Sequence, residues 1–138
     1  MAYLMIVDDD EQLADAIAIV LRHEGHEVAL QSDTATAMTA MHSRPPDLVI
    51  LDVMFREDDF AGFELARAMH QCGGLSRIPI LMLTGVNVKL DLTFDTLDVD
   101  NSWLPVTDFM DKPVDLAKLV SKVASLLGAA SPPAHHAG

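Results

Sequence analysis

Positive charge is scarce in this chain. Nine Lys and Arg stand against 21 Asp and Glu, a formal net charge of −12 at pH 7. A surface this acidic repels phosphate backbones, so direct nucleic-acid binding is not expected; it suits cations or basic partner surfaces. Cysteine is nearly absent as well. Cys72 is the single one and cannot form an internal disulfide, so a reducing, cytoplasmic setting is expected. With no His or Cys beside it in the sequence at ligand spacing, it reads as a buried or incidental thiol. One Trp and one Tyr leave aliphatic residues and Met to fill most of the core. No apolar run is long enough to span a bilayer. Met1-Ala2-Tyr3-Leu4 enters a strand-like stretch at once, so no signal peptide is expected. Neither a dinucleotide-binding nor a P-loop glycine pattern occurs, which sets aside the common nucleotide-binding α/β domains.

What is present is a regular alternation of apolar runs and amphipathic stretches. Residues Tyr3–Val7 are nearly all apolar, as in a strand buried on both faces of a parallel sheet. Leu13, Ile17, Val20 and Leu21 then recur at helical spacing, with Gly25 placed to stop the helix. Glu27–Leu30 reads as a second strand. A short helix capped by Ser32 or Asp33 runs to about Met41 and is followed by Pro45-Pro46. Leu48–Leu51 is a third apolar run and ends at Asp52. A helix from about Ala61 to His70 stops at Gly73-Gly74, and Ile80–Leu83 leads into Thr84-Gly85. Val106–Met110 is a weaker fifth strand before Asp111-Lys112-Pro113. Leu116, Leu119, Val120, Val123 and Leu127 complete a last helix, with Asp115 as N-cap and Gly128 as stop. Five alternations of strand and helix predict a doubly wound α/β domain on a five-stranded parallel sheet, covering 1–128, with a disordered tail over 129–138.

In such sheets ligands sit outside the carboxyl ends of the strands, at the point where strand order reverses. The residues at those ends are Asp8 and Asp9 after strand one, Asp52 after strand three, Thr84 after strand four and Lys112 after strand five. Three carboxylates at one edge repel one another unless a cation joins them. Mg²⁺ takes oxygen ligands and keeps waters and phosphate oxygens in its shell, so the pattern predicts a metal and a phosphoryl ligand together. Asp52 is then a candidate carboxylate nucleophile, Lys112 a point charge for a phosphoryl oxygen, and Thr84 a hydroxyl donor to another. Plainer readings stand beside these. Asp8-Asp9-Asp10 can be helix-start charge, Asp52 a structural acid, and Lys112 a solvated turn lysine. Arg56–Asp59 reads as a solvated acidic loop, Trp103 as a core plug, and the scattered histidines as surface residues.

The stretch from Tyr3 to Leu127 resembles the receiver domain of bacterial response regulators. The resemblance rests on five stretches in order: Leu4-Met5-Ile6-Val7-Asp8-Asp9-Asp10; Pro46-Asp47-Leu48-Val49-Ile50-Leu51-Asp52-Val53-Met54; Gly62-Phe63-Glu64-Leu65; Ile80-Leu81-Met82-Leu83-Thr84-Gly85; and Phe109-Met110-Asp111-Lys112-Pro113. It implies the flavodoxin-like receiver topology, with Asp52 phosphorylated in a reaction that needs Mg²⁺ or Mn²⁺. It further implies a metal site of Asp8, Asp9, Asp52 and the Met54 carbonyl, a switch pair of Thr84 and Phe109, and a cis Lys112–Pro113 bond. A histidine kinase or histidine phosphotransfer protein would be the donor. The output protein is unknown, and a dimer is among the arrangements open to it.

The sequence departs from the family pattern in three places. Arg56 stands where a proline is usual, in a longer acidic loop; the Thr84–Lys112 interval is long; and Asn87–Trp103 lacks a single apolar stripe, which predicts a loop or a short displaced fourth helix. A receiver-like module acting without phosphorylation is the competing function. A phosphohydrolase is disfavoured because Met54 occupies the place where such enzymes carry a second acid.

Overall fold

The computed structural model describes residues 2–52, 61–84 and 108–130. The elements run β1 (Tyr3–Val7), α1 (Glu11–His23), β2 (Glu27–Gln31), α2 (Thr34–Ser43), β3 (Leu48–Asp52), α3 (Ala61–Gln71), β4 (Ile80–Thr84), β5 (Asp108–Asp111) and α4 (Leu116–Ala130), with the helices counted among the described residues. The strands form one parallel sheet in the order β2-β1-β3-β4-β5. This is the doubly wound, flavodoxin-like receiver arrangement anticipated above. Strand order reverses at β1, which pairs with β2 on one side and β3 on the other. The crevice at the carboxyl ends of β1 and β3 is therefore where a ligand is expected.

The near-continuous apolar strands are explained by burial on both faces. Alternate residues go to opposite layers. Met5, Val7, Val49, Leu51, Ile80 and Met82 pack with Ala37 and Met41 of α2 and with Leu65, Ala66 and Met69 of α3. Leu4, Ile6, Leu48, Ile50, Leu81 and Leu83 pack with Ile17, Ala18 and Leu21 of α1 and with Leu119, Val123 and Leu126 of α4. The first layer is rich in methionine and the second in branched aliphatics. Among the described residues, aliphatic side chains and Met fill this core, in line with the shortage of aromatics.

Helix boundaries follow local chemistry. Asp10, Asp33 and Asp115 each accept a hydrogen bond from a backbone N–H in the first turn of α1, α2 and α4 respectively. Asp33, rather than Ser32, therefore caps α2. After α1, Gly25 takes φ +97°, which a side chain would disfavour. The Gly25 N–H donates to the Arg22 carbonyl and the His26 N–H to the Leu21 carbonyl, a Schellman closure.

One expected boundary moves. Gly128 does not stop the last helix, which continues to Ala130. Glycine inside a helix costs only about 1 kcal/mol relative to alanine, and two alanines follow it. Of the fifth strand, Asp108–Asp111 is described, and its expected start at Val106 lies outside the described residues. The Asn87–Trp103 segment and the tail beyond Ala130 lie outside the described residues. No helix among the described residues is long and apolar enough to cross a membrane.

Candidate phosphoryl and metal site

Three strand ends deliver the site. Asp8 follows β1, Asp52 closes β3, and Lys112 follows β5. Asp8 is 1% exposed and Asp52 3%, and they are the two charged residues buried among those described. One carboxylate oxygen from each of Asp8, Asp9 and Asp52 lies within 4.8 Å of the others. The Lys112 ammonium sits 2.9 Å from Asp52 Oδ1 and 3.6 Å from Asp8 Oδ2. Residues far apart in sequence thus converge at the crevice where strand order reverses.

Electrostatics decide what this cluster needs. Two carboxylates at such a separation repel by about 3 kcal/mol at an effective dielectric of about 20. Among the described residues, Lys112 faces two of the three carboxylates, and a cluster of this kind attracts a divalent cation. Burial pushes the Asp8 carboxyl up to about 6; the Asp10 N–H pulls it down, the Asp52 charge pushes it up, and Lys112 pulls it down. For Lys112, burial acts to lower the pKa. The hydrogen bond to Asp52 and the charges of Asp52, Asp8 and Asp10 overcome this and hold it above the ordinary lysine value. The ammonium is therefore fixed in its charged form.

One oxygen of the cluster lacks a hydrogen bond. Asp8 Oδ1 accepts the Asp10 N–H at 2.8 Å, while the buried Oδ2 has no hydrogen-bond partner among the described residues. A buried acceptor without a partner carries a desolvation penalty. Three clustered carboxylates, all oxygen donors, and a buried Asp8 oxygen without a hydrogen bond among the described residues together fit a hard divalent cation such as Mg²⁺.

The comparisons with known proteins agree with this geometry. The response regulator receiver domain model matches residues 4–124. The chain belongs to the response regulator receiver domain family. Among curated relatives, the DNA-binding response regulator MtrA of Mycolicibacterium smegmatis is 34% identical over 124 residues, covering 90% of this chain and 50% of that protein. The sensory transduction protein RegX3 of the same species is 28% identical over 127 residues, covering 92% and 51%. The chain thus spans about half the length of these curated relatives. Among solved structures, a putative response regulator from Chloroflexus aurantiacus superposes with a TM-score of 0.77 at 28% identity, covering 92% of this chain and 98% of that one. The receiver domain of NtrX from Brucella abortus gives 0.75 at 25%, covering 91% and 98%.

Within the receiver frame, the structure brings together Asp8, Asp9, Asp52 and Lys112 of the expected site. Thr84 closes β4 in register with Asp111, but its side chain, like Met54, lies outside the described residues. Phe109 is half-buried and packs against the methionine-rich layer. The Lys112–Pro113 peptide is cis, as the family resemblance implied. Two contacts were not legible beforehand. Asp10 donates its backbone N–H to Asp8, a role that a run of three aspartates does not announce. His42 on α2 places Nε2 3.9 Å from Cys72 Sγ beyond α3, a contact across 30 residues that spacing alone does not reveal.

Proposed function

We propose that this receiver domain takes a phosphoryl group on Asp52 from a histidine kinase or histidine phosphotransfer protein and signals by protein contact. The observation that carries the reading is the Lys112–Asp52 pair at 2.9 Å, set in a cluster of three carboxylates of which Asp8 and Asp52 are buried and Asp9 half-buried. Asp8, Asp9 and Asp52 would hold a Mg²⁺ or Mn²⁺ ion, with the Met54 carbonyl as a further ligand. When bound, the ion neutralises charge on the transferring phosphoryl group.

The chain's own residues do the rest. One Asp52 oxygen attacks phosphorus while the donor's bond to phosphorus breaks, leaving an acyl phosphate. Lys112 stands against Asp52 Oδ1 in the resting site and offers its charge to a phosphoryl oxygen after transfer. Thr84 would donate a hydroxyl hydrogen to another, and with Phe109 would form the switch that changes the output face. Catalysis is confined to the domain's own phosphorylation and slow hydrolysis. The receiver unit covers about 1–128 and acts in the cytoplasm, with an unidentified output protein and dimerisation as a further mode. DNA binding is a property of the relative MtrA; a net charge of −12 disfavours direct DNA contact by this chain.

The test is metal dependence. Incubated with a small phosphodonor such as acetyl phosphate, the protein should be labelled rapidly with Mg²⁺ present. Labelling should slow on the order of a hundredfold when divalent cations are chelated. Equal labelling in both conditions would refute the metal-assisted site. Absence of labelling with Mg²⁺ shown to bind would favour the phosphorylation-independent module instead.

A further inference from the structure

Asp10 is held on three sides. Its side-chain Oδ1 accepts the Leu13 N–H at 3.2 Å, which caps α1. Its carbonyl accepts the Ala14 N–H at 3.0 Å, the first bond of the helix ladder. Its own N–H, on an extended residue with φ −84° and ψ 94°, donates to Asp8 Oδ1 at 2.8 Å. The direction of that N–H is therefore set by the start of α1. The consequence falls on Asp8. With Oδ1 occupied, the carboxylate cannot rotate freely, and Oδ2 is left 3.6 Å from Lys112 without a hydrogen bond among the described residues.

We propose that Asp10 is a positioning residue for Asp8: by capping α1 it fixes the N–H that orients the Asp8 carboxylate toward the cation. This rests on the metal-binding reading above. Asp10 itself is exposed, and it acts through its backbone and its cap rather than its charge. Groups that orient metal ligands typically alter affinity ten- to a hundredfold when removed.

Isothermal titration of MgCl₂ into the full chain separates the possibilities. Asp10→Ala should weaken Mg²⁺ binding by about tenfold or more. Asp10→Asn and Asp10→Ser keep a capping acceptor without the charge, and should restore affinity close to wild type. Asp33→Ala is the control for stability, because Asp33 caps α2 in the same way through the Thr36 N–H at 2.8 Å, outside the carboxylate cluster. It should lose stability comparably in urea melts and leave Mg²⁺ affinity unchanged. Asp10→Ala binding like wild type would overturn the proposal. So would Asp10→Asn and Asp10→Ser binding as weakly as Asp10→Ala, since charge or direct ligation would then be responsible. A wild-type chain that binds no Mg²⁺ would instead overturn the metal reading itself, and the proposal with it.

Discussion

Replacing Lys112 with methionine should destabilise the metal-free protein by about 3 kcal/mol at pH 7, read from the urea midpoint. Removing one partner of a buried ion pair typically costs about 3–5 kcal/mol, because the other charge stays buried and unpaired. The Lys112 side chain is 28% exposed, which places this pair at the lower end. The loss should have two signatures. It should shrink on acidification toward pH 5, where Asp8, with its carboxyl near 6, takes up a proton. Saturating Mg²⁺ should also offset much of it, since the ion supplies the missing positive charge. The raised lysine pKa has its own pH window. Its stabilisation is complete below the ordinary value of about 10.4 and disappears only as pH rises through the higher folded value. In wild type, Lys112 itself therefore stays charged across the physiological range, and the pH dependence of the pair comes from Asp8.

Asp8→Asn should move stability the other way. A carboxyl raised from 3.8 to about 6 on folding favours the folded state fully only below the unfolded pKa. Stability then declines as pH rises toward 6, and the full penalty is present above it. A shift of about two units corresponds to about 3 kcal/mol. The variant has no charge to desolvate, so metal-free Asp8→Asn should be more stable than wild type at pH 7 by up to about 3 kcal/mol. Its stability should also fall less steeply between pH 4 and pH 7. It should lose most of the stabilisation that Mg²⁺ gives the wild type, because one carboxylate of the cluster is gone. Stability gained together with metal response lost is the pattern expected when a site is kept for function at the expense of the fold. A less stable variant, or one that keeps the Mg²⁺ response, would contradict the charge argument.

The sheet was readable in advance because it is buried on both faces. Runs such as Leu4–Val7 and Leu48–Leu51 admit few polar residues when each face meets a helix layer. For the same reason Asp8 and Asp52 stood out, since polar residues directly after such runs fall at the carboxyl edge of a parallel sheet. β5 was the weaker reading because it is a short strand at the sheet edge with Asp108 and Asp111 at its ends. Gly128 misled because a glycine signal acts locally, whereas the helix around it draws stability from the packing of Leu119, Val123 and Leu126. The partition of hydrogen bonds among three consecutive aspartates had no sequence signature. Asp10 capping α1 while its N–H holds Asp8 follows only from the angle at which β1 meets α1. The pairing of Cys72 with His42 likewise depends on how α2 and α3 lie side by side.

The most direct test of the account is intact-protein mass spectrometry after incubation with Mg²⁺ and acetyl phosphate, comparing wild type with Asp52→Ala. One added phosphoryl group is expected on the wild type and none on Asp52→Ala. Equal addition to both proteins would place the acceptor elsewhere and contradict the assignment of Asp52.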